Sequence, residues 1–384
     1  MNDASDRTGI GARRDASDRT GIRARRDASD RTGVHARRDA SDRTGVHARP
    51  VALLPPVLGV LAVVLALAAC GEKKDELGPS GTKKMSLMLD YLPNADHAGI
   101  YAAQAGGQFK DAGLDVKIRQ PPDPAAPIKQ VAAGRVDLAI SYEPEVLRAR
   151  DKRLKVVAVG AIVRKPLTSI ISLPKGKVRS PRDLKGKTVG TAGIDYQDAY
   201  LQTILEQAGV NPSAVKKRNL GFGLVPGLVS GKVDAVLGGF WNVEGIELAQ
   251  KKKRPRIIRV DRAGVPTYDE LVLVANQDAL ERDGKRIRAF VGAVARATKA
   301  LERNPREGIK GLLQANPDLN PKLQRASVRA TLPLFLPKAG KPFGYQDPAE
   351  WKAFAGWMRD NRLVKDIPGA RGAFDNRFLP GGGL

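Results

Sequence analysis

Two segments of the chain share a form in which ligand chemistry can be placed. Residues 134–141 read GRVDLAIS and residues 231–239 read GKVDAVLGG. Each sets a glycine turn and Val-Asp before a short apolar strand. Just past the first lie Tyr142 and Glu143; just past the second lie Phe240, Trp241, Asn242 and Glu244. Aromatic rings offer flat faces, and carboxyl and amide groups offer hydrogen-bonding edges. In open parallel sheets, ligands bind beyond the carboxyl ends of the strands. Gly193, Ile194, Asp195 and Tyr196 lie between a strand and a helix, where backbone N–H groups can receive an anion or a polar tail. They do not make a glycine-rich phosphate fingerprint.

Other chemistries are ruled out by counting. The one cysteine, Cys70, allows no intrachain disulfide, iron–sulfur cluster or cysteine zinc site. Of the three histidines, His35 and His47 fall in a terminal repeat, leaving only His97 for a folded domain. No metal or other cofactor is expected.

The elements that must hold these residues follow from periodicity. Buried strands are expected at 85–90, 114–119, 136–141, 154–163, 187–193, 233–239, 256–260 and 271–276. Helical periods fall between them, at 97–109, 125–133, from 143, at 196–207, 224–231 and 242–252, and 277–363 reads mostly helical. Alternating strand and helix means parallel sheets covered by helices. The alternation runs twice and a strand then returns, so two α/β lobes are expected. One is built from 85–170 with 268–384 and the other from 174–265, with two crossings and a ligand cleft between them.

The first seventy residues read differently. Residues 2–49 are four copies of a twelve-residue unit with no aromatic and no apolar face. Stacking such units buries almost nothing, so 1–49 is expected to be disordered. Its 12 Arg and 8 Asp alternate in sign, a poor match to a polyanion. Val46 could serve as an alternative start. Residues 51–69 carry no charge, Arg49 precedes them, and Leu67-Ala68-Ala69-Cys70-Gly71 closes the run. This resembles a bacterial lipobox, so 50–70 is expected to be a lipoprotein signal with Cys70 lipidated; the rival is an uncleaved signal anchor. Residues 71–84 read as a polar linker.

The chain has a net charge of +24, and the part from residue 70 onward keeps +20. No zinc-finger, helix-turn-helix or RNA-motif spacing accompanies the basic run at 251–254. On a lipid-anchored, extracytoplasmic domain the basic surface is expected to face anionic headgroups or wall polymers, without nucleic acid, and the run at 251–254 itself reads as a solvated helix end.

Residues 89–101, LDYLPNADHAGIY, resemble the opening strand and loop of ThiY-like binding proteins, which serve ABC importers of thiamine pyrimidine precursors. The similarity continues through 132–137, 140–144, 183–187, 231–235, 264–273 and 374–380. It covers about 84–380. The resemblance implies a type II periplasmic-binding-protein fold, no catalysis, a ligand such as formylaminopyrimidine, an importer permease as partner, and a monomer. Tyr91 stands where the family often has tryptophan, and Trp241 where arginine is frequent.

An aminopyrimidine needs an aromatic face and an acceptor for its exocyclic amine. Tyr91, Tyr142 and Trp241 are the candidate faces. Asp90, Asn94, Glu143, Asn242 and Glu244 are the candidate edges, with Glu244 chosen to accept the amine. His97 and Ser141 complete the set. Each aromatic has packing as its alternative role, and each glutamate has favourable placement in the first turn of a helix. A binding protein for a flavin, sulfonate or nitrate is one rival. Another is the fungal thiamine pyrimidine synthases, which the family includes. Their pyridoxal-binding lysine falls on Ser141 and their donor histidine on Glu145, and a hydroxyl cannot form a Schiff base.

Overall fold

The computed structural model describes residues 81–336, 340–365 and 372–383. The repeat at 1–49, the signal at 50–70 with Cys70, and the linker as far as residue 80 lie outside the described residues. The linker's expected end is already structured, because strand β1 (Lys83–Met88) starts at Lys83.

Among the described residues, ten strands form two five-stranded sheets. The first sheet has the order β2 (Leu114–Arg119), β1, β3 (Leu138–Ser141), β10 (Leu271–Asn276), β4 (Val156–Val163). β1 runs parallel to β2 and β3, while β10 runs antiparallel between β3 and β4. The second sheet has the order β7 (Lys216–Asn219), β6 (Thr188–Thr191), β8 (Ala235–Phe240), β5 (Thr168–Ser172), β9 (Arg256–Arg259). β6 runs parallel to β7 and β8, and β5 lies antiparallel between β8 and β9. Each sheet is thus a parallel core closed by one reversed strand.

Strands covered on both faces are apolar on both, and this holds for β4 although it lies at the edge of its sheet. All eight residues of β4 and all four of β3 are buried. Edge strand β7, KKRN, is exposed at every position, so its sequence carries no apolar signal. β5 was also unread: TSIIS is short, follows a proline, and carries three hydroxyl residues among its five. Its pairing moves residues 168–170 from the first lobe, where the sequence reading put them, into the second sheet. The chain therefore crosses at 164–167 and returns at 260–270.

Helices α1 (Ala98–Ala105), α2 (Gln108–Asp111), α3 (Pro127–Ala132) and α4 (Glu143–Asp151) accompany the first sheet. Helices α5 (Asp195–Gln207), α6 (Leu224–Val229) and α7 (Glu244–Gln250) accompany the second. The tail adds α8 (Ala279–Arg303), α9 (Pro305–Ala315), α10 (Pro321–Phe335) and α11 (Pro348–Asp360). Between α1 and α9 the backbones approach so closely that a Cβ on Gly311 would meet Tyr101 O at 2.6 Å. Among the described residues, no helix is long and apolar enough to cross a membrane.

Candidate functional site

The carboxyl end of β1 delivers Leu89 and Asp90 into a loop whose geometry is fixed locally. The Asn94 side chain accepts from Asp96 N–H at 2.8 Å and caps a short 3-10 turn, Ala95–His97. His97 Nδ1 in turn accepts from Asn94 N–H at 3.2 Å. The proton of the neutral imidazole therefore sits on Nε2, which lies 2.8 Å from Asp90 Oδ1. The second Asp90 oxygen accepts from Tyr142 O–H at 2.9 Å. Three candidates, Asp90 and His97 from one loop and Tyr142 from 52 positions beyond Asp90, thus form one buried network. It leaves neither Asp90 oxygen without a donor.

Tyr142 starts a chain of rings that leads into the second lobe. Its centroid is 5.3 Å from that of Tyr196 on α5, and Tyr196 meets Tyr200 edge-on at 5.0 Å. Burial pushes the phenols of all three well above their ordinary range, so they stay protonated donors.

Tyr91 is half-buried and reaches across the cleft. Its ring meets Phe222 edge-on at 4.9 Å, and its hydroxyl lies 3.4 Å from Gly221 O, a long hydrogen bond. Burial raises its phenol, and the neighbouring charges of Glu244 and Asp90 raise it further. Glu244, in the first turn of α7, accepts from Phe240 N–H at 2.7 Å through Oε2. Burial holds its carboxyl up at about 7. Tyr91, Phe222 and Glu244 therefore bring together an aromatic pair and a carboxyl that titrates near neutrality, drawn from both lobes.

Asn242, fully buried, ties the lobes directly. Its Nδ2 donates at 2.6 Å to Asp96 Oδ1 and at 2.6 Å to Thr331 Oγ1. Asp195 makes a different kind of crossing. Its exposed carboxylate lies 2.6 Å from Lys152 Nζ at the end of α4, and that hydrogen bond lowers its pKa. Such an exposed pair contributes little. Gly193 turns the chain at φ +80°, where a Cβ would strike the Asn219 side chain at 2.4 Å. Ile194, buried, precedes α5 without a side-chain cap.

Three candidates are engaged elsewhere. Trp241 points out of the cleft: Nε1 donates to Pro166 O at 3.2 Å and Arg259 lies 5.2 Å over its ring. It borders an open depression of about 360 Å³ with Ile257, Ile258, Arg259 and Arg262. Glu143 turns to the second crossing, accepting from Asp269 N–H at 2.6 Å; burial, then the Asp269 charge, pushes its carboxyl well up. Ser141 Oγ donates to Glu145 Oε2 at 2.5 Å inside the first lobe, and burial raises Glu145 to about 7.

Sequence reasoning did not single out Phe222, Asp96 or Thr331 as site residues, and it read Tyr196 only as part of the turn that begins at Gly193. Asp96 sits inside the motif that was read, and Tyr196 opens a helix that was read. Phe222 follows a strand with no apolar signal. Thr331 lies 235 residues from its partner Asp96, with nothing local to mark it.

Residues 94–308 match the family described as NMT1/THI5 like. A Haemophilus influenzae protein named for thiamine biosynthesis is 38% identical over 288 residues, covering 74% of this chain and 90% of that one. The formylaminopyrimidine-binding protein of Halalkalibacterium halodurans is 34% identical over 323 residues, covering 83% of this chain and 98% of that one. Among solved structures, the alkanesulfonate-binding protein SsuA of Xanthomonas axonopodis pv. citri, bound to MOPS, matches with a TM-score of 0.60 at 17% identity. That match covers 76% of this chain and 97% of SsuA, and it bears on fold alone: the two sheets have the type II periplasmic-binding-protein arrangement. On the family match and the two near-complete relatives, the chain belongs to the NMT1/THI5-like family.

Proposed function

We propose that this chain is an extracytoplasmic solute-binding protein that captures a thiamine pyrimidine precursor and hands it to an ABC importer. The observation that carries the reading is the cross-lobe set Tyr91, Phe222 and Glu244, an aromatic pair beside a carboxyl held near neutrality. A flat ring inserted there gains an aromatic face, and its exocyclic amine gains an acceptor. The name of the Halalkalibacterium halodurans relative supports the same ligand class. Tyr91 suits this role although a larger ring is usual in the family, because its hydroxyl reaches the second lobe.

Anchoring is part of the proposal. The apolar run at 51–69 and the single cysteine, Cys70, that follows it support a lipid-modified amino terminus, with the importer's permease as partner. A synthase activity is not part of it. At the position of the synthases' pyridoxal-binding lysine stands Ser141, whose hydroxyl is committed to Glu145.

Glu244→Gln tests the ligand site. Phe240 N–H fixes one oxygen, so the glutamine carbonyl takes that place and its NH₂ faces the ligand's own donor amine. A buried polar mismatch costs about 1–3 kcal/mol, so affinity should fall roughly 10- to 100-fold. Glu247, paired with Lys251 at 2.6 Å on the surface, is the control, and Glu247→Gln should change little. Calorimetry with formylaminopyrimidine, hydroxymethylpyrimidine and riboflavin reads the result. Flavin binding without pyrimidine binding, or equal affinities in both variants, would overturn the assignment.

A further inference from the structure

We infer that Asp96 and Asn242 are positioning residues for ligand capture, forming a carboxylic acid–amide pair across the cleft that a single proton on Asp96 completes. The inference rests on reading the chain as a binding protein that closes, and it is independent of which solute is held.

Asn242 Nδ2 donates to Asp96 Oδ1 at 2.6 Å. Thr331 Oγ1, from α10, lies 3.1 Å from the same oxygen and 2.8 Å from Ser327 O. The two remaining atoms, Asp96 Oδ2 and Asn242 Oδ1, are both buried, and neither has a hydrogen-bond partner among the described residues. Both are acceptors when Asp96 is ionised, so as a carboxylate the pair leaves two buried oxygens unpaired, each at a cost. A proton on Oδ2 turns one orphan into a donor and the other into its acceptor, closing an acid–amide ring that already holds one hydrogen bond.

The surroundings favour the neutral acid. Helices α8, α9 and α10 present Leu301, Ile309 and Val328 to Ala95 and Ala98 on either side of Asp96, all apolar. Thr331 is uncharged. The ionisable groups that face Asp96 are His97 and Asp90 on its own loop and Glu244 across the cleft. Burial outweighs the rest and raises the Asp96 carboxyl to about 6. Opening the lobes takes Asn242 away and lets water reach that face of Asp96, which moves its carboxyl back toward its ordinary 3.8. Closing therefore takes up a proton, and the sign follows: acid favours the closed lobes, and the effect is lost as pH rises through about 6. Between pH 8 and pH 5 the closed-to-open ratio should rise about tenfold. Glu244 titrates nearby, so the wild-type pair and both variants are all measured in a Glu244→Gln background, which removes its response.

The test uses the ligand-free full chain. Spin labels at Arg135→Cys and Lys232→Cys, in a Cys70→Ser background, report lobe separation by pulsed electron resonance from pH 5 to pH 8. Asp96→Asn supplies an Nδ2–H in place of the acid proton, so the closed population should be high and flat with pH. Asn242→Asp sets two carboxyls against each other, so it should open the lobes at pH 8 and let them close on acidification. If Asp96→Asn keeps the wild-type pH response, or Asn242→Asp stays closed at pH 8, the pair does not act as inferred. A single separation in wild type at every pH, unchanged by pyrimidine or flavin, would instead remove the closing motion and the inference with it.

Discussion

The two crossings are held to each other by a buried carboxyl group, with Lys165 Nζ donating to Thr267 Oγ1 at 3.0 Å beside it, and removing the carboxyl should have a large and specific effect. Glu270, on the second crossing, is fully buried. Its Oε2 accepts from Leu167 N–H at 2.6 Å, Thr168 N–H at 2.8 Å and Tyr268 O–H at 3.0 Å, and its Oε1 accepts from Thr168 Oγ1 at 2.8 Å. Glu270→Ala strands the two backbone N–H groups of the first crossing and the tyrosine hydroxyl. At about 1–3 kcal/mol for each stranded group, with some relaxation, the loss should be about 3–5 kcal/mol. Glu270→Gln is a different perturbation. Its carbonyl can take the three donors on Oε2, and the Thr168 hydroxyl can turn to accept from its NH₂. The two substitutions therefore differ mainly in whether donors are stranded. Burial also raises the Glu270 carboxyl from its ordinary 4.5 to about 7, the donors opposing it. A carboxyl raised on folding stabilises the fold at low pH, and that contribution is lost as pH rises through about 7. Relative to Glu270→Gln, wild type should therefore weaken by about 2–3 kcal/mol between pH 5 and pH 8. Urea denaturation of the three proteins at both pH values measures this. If the glutamine variant falls further behind wild type as pH rises, the donors outweigh burial and the sign is wrong. If Glu270→Ala costs under about 1 kcal/mol, the crossings are not held in this way.

Three further outcomes are expected. Gly311→Ala puts a methyl 2.6 Å from a carbonyl of α1, so the helices must separate, and denaturation should show a loss of about 1–3 kcal/mol. Asp195→Asn breaks only the exposed pair with Lys152 and should shift stability by less than about 1 kcal/mol in the same assay. Cys70→Ser should abolish incorporation of labelled fatty acid and leave an unprocessed precursor in the producing bacterium; normal processing would refute the lipid anchor.

The parts of this molecule legible in the sequence are those that bury apolar surface at a regular period. Strands such as VVAVGAIV and LVLVAN announce themselves because both faces are covered. β7 does not, because an edge strand exposed at every residue has no apolar pattern to show. The site was legible to the depth of one loop. Residues after the strand ends do meet at the cleft, as Asp90 with Tyr142 and Asp96 with Asn242, but the direction of a given side chain was not readable. Trp241 and Asn242 are adjacent, yet one packs outward on Pro166 while the other bridges to Asp96. Both lie in the turn between β8 and α7, where no period fixes direction, and only tertiary pairing decides which of them enters the cleft.

The long-range polar contacts around the cleft and the crossings follow a rule that periodicity cannot reveal. Asp90–Tyr142, Asp96–Asn242 and Glu270–Thr168 join residues 52 to 146 positions apart, and none has a local signature. They share a physical trait instead: each buries an acid against donors supplied by another segment. Apolar contacts alone would hold closed lobes by area and would discriminate poorly among relative orientations. A buried carboxyl is costly unless its donors are in place, so it penalises every arrangement but one. The same trait brings Asp96, Glu244 and Glu270 to pKa values near 6 or 7, within reach of small changes in pH or in a ligand's charge. Groups that specify the closed geometry are thereby the groups able to sense what occupies it.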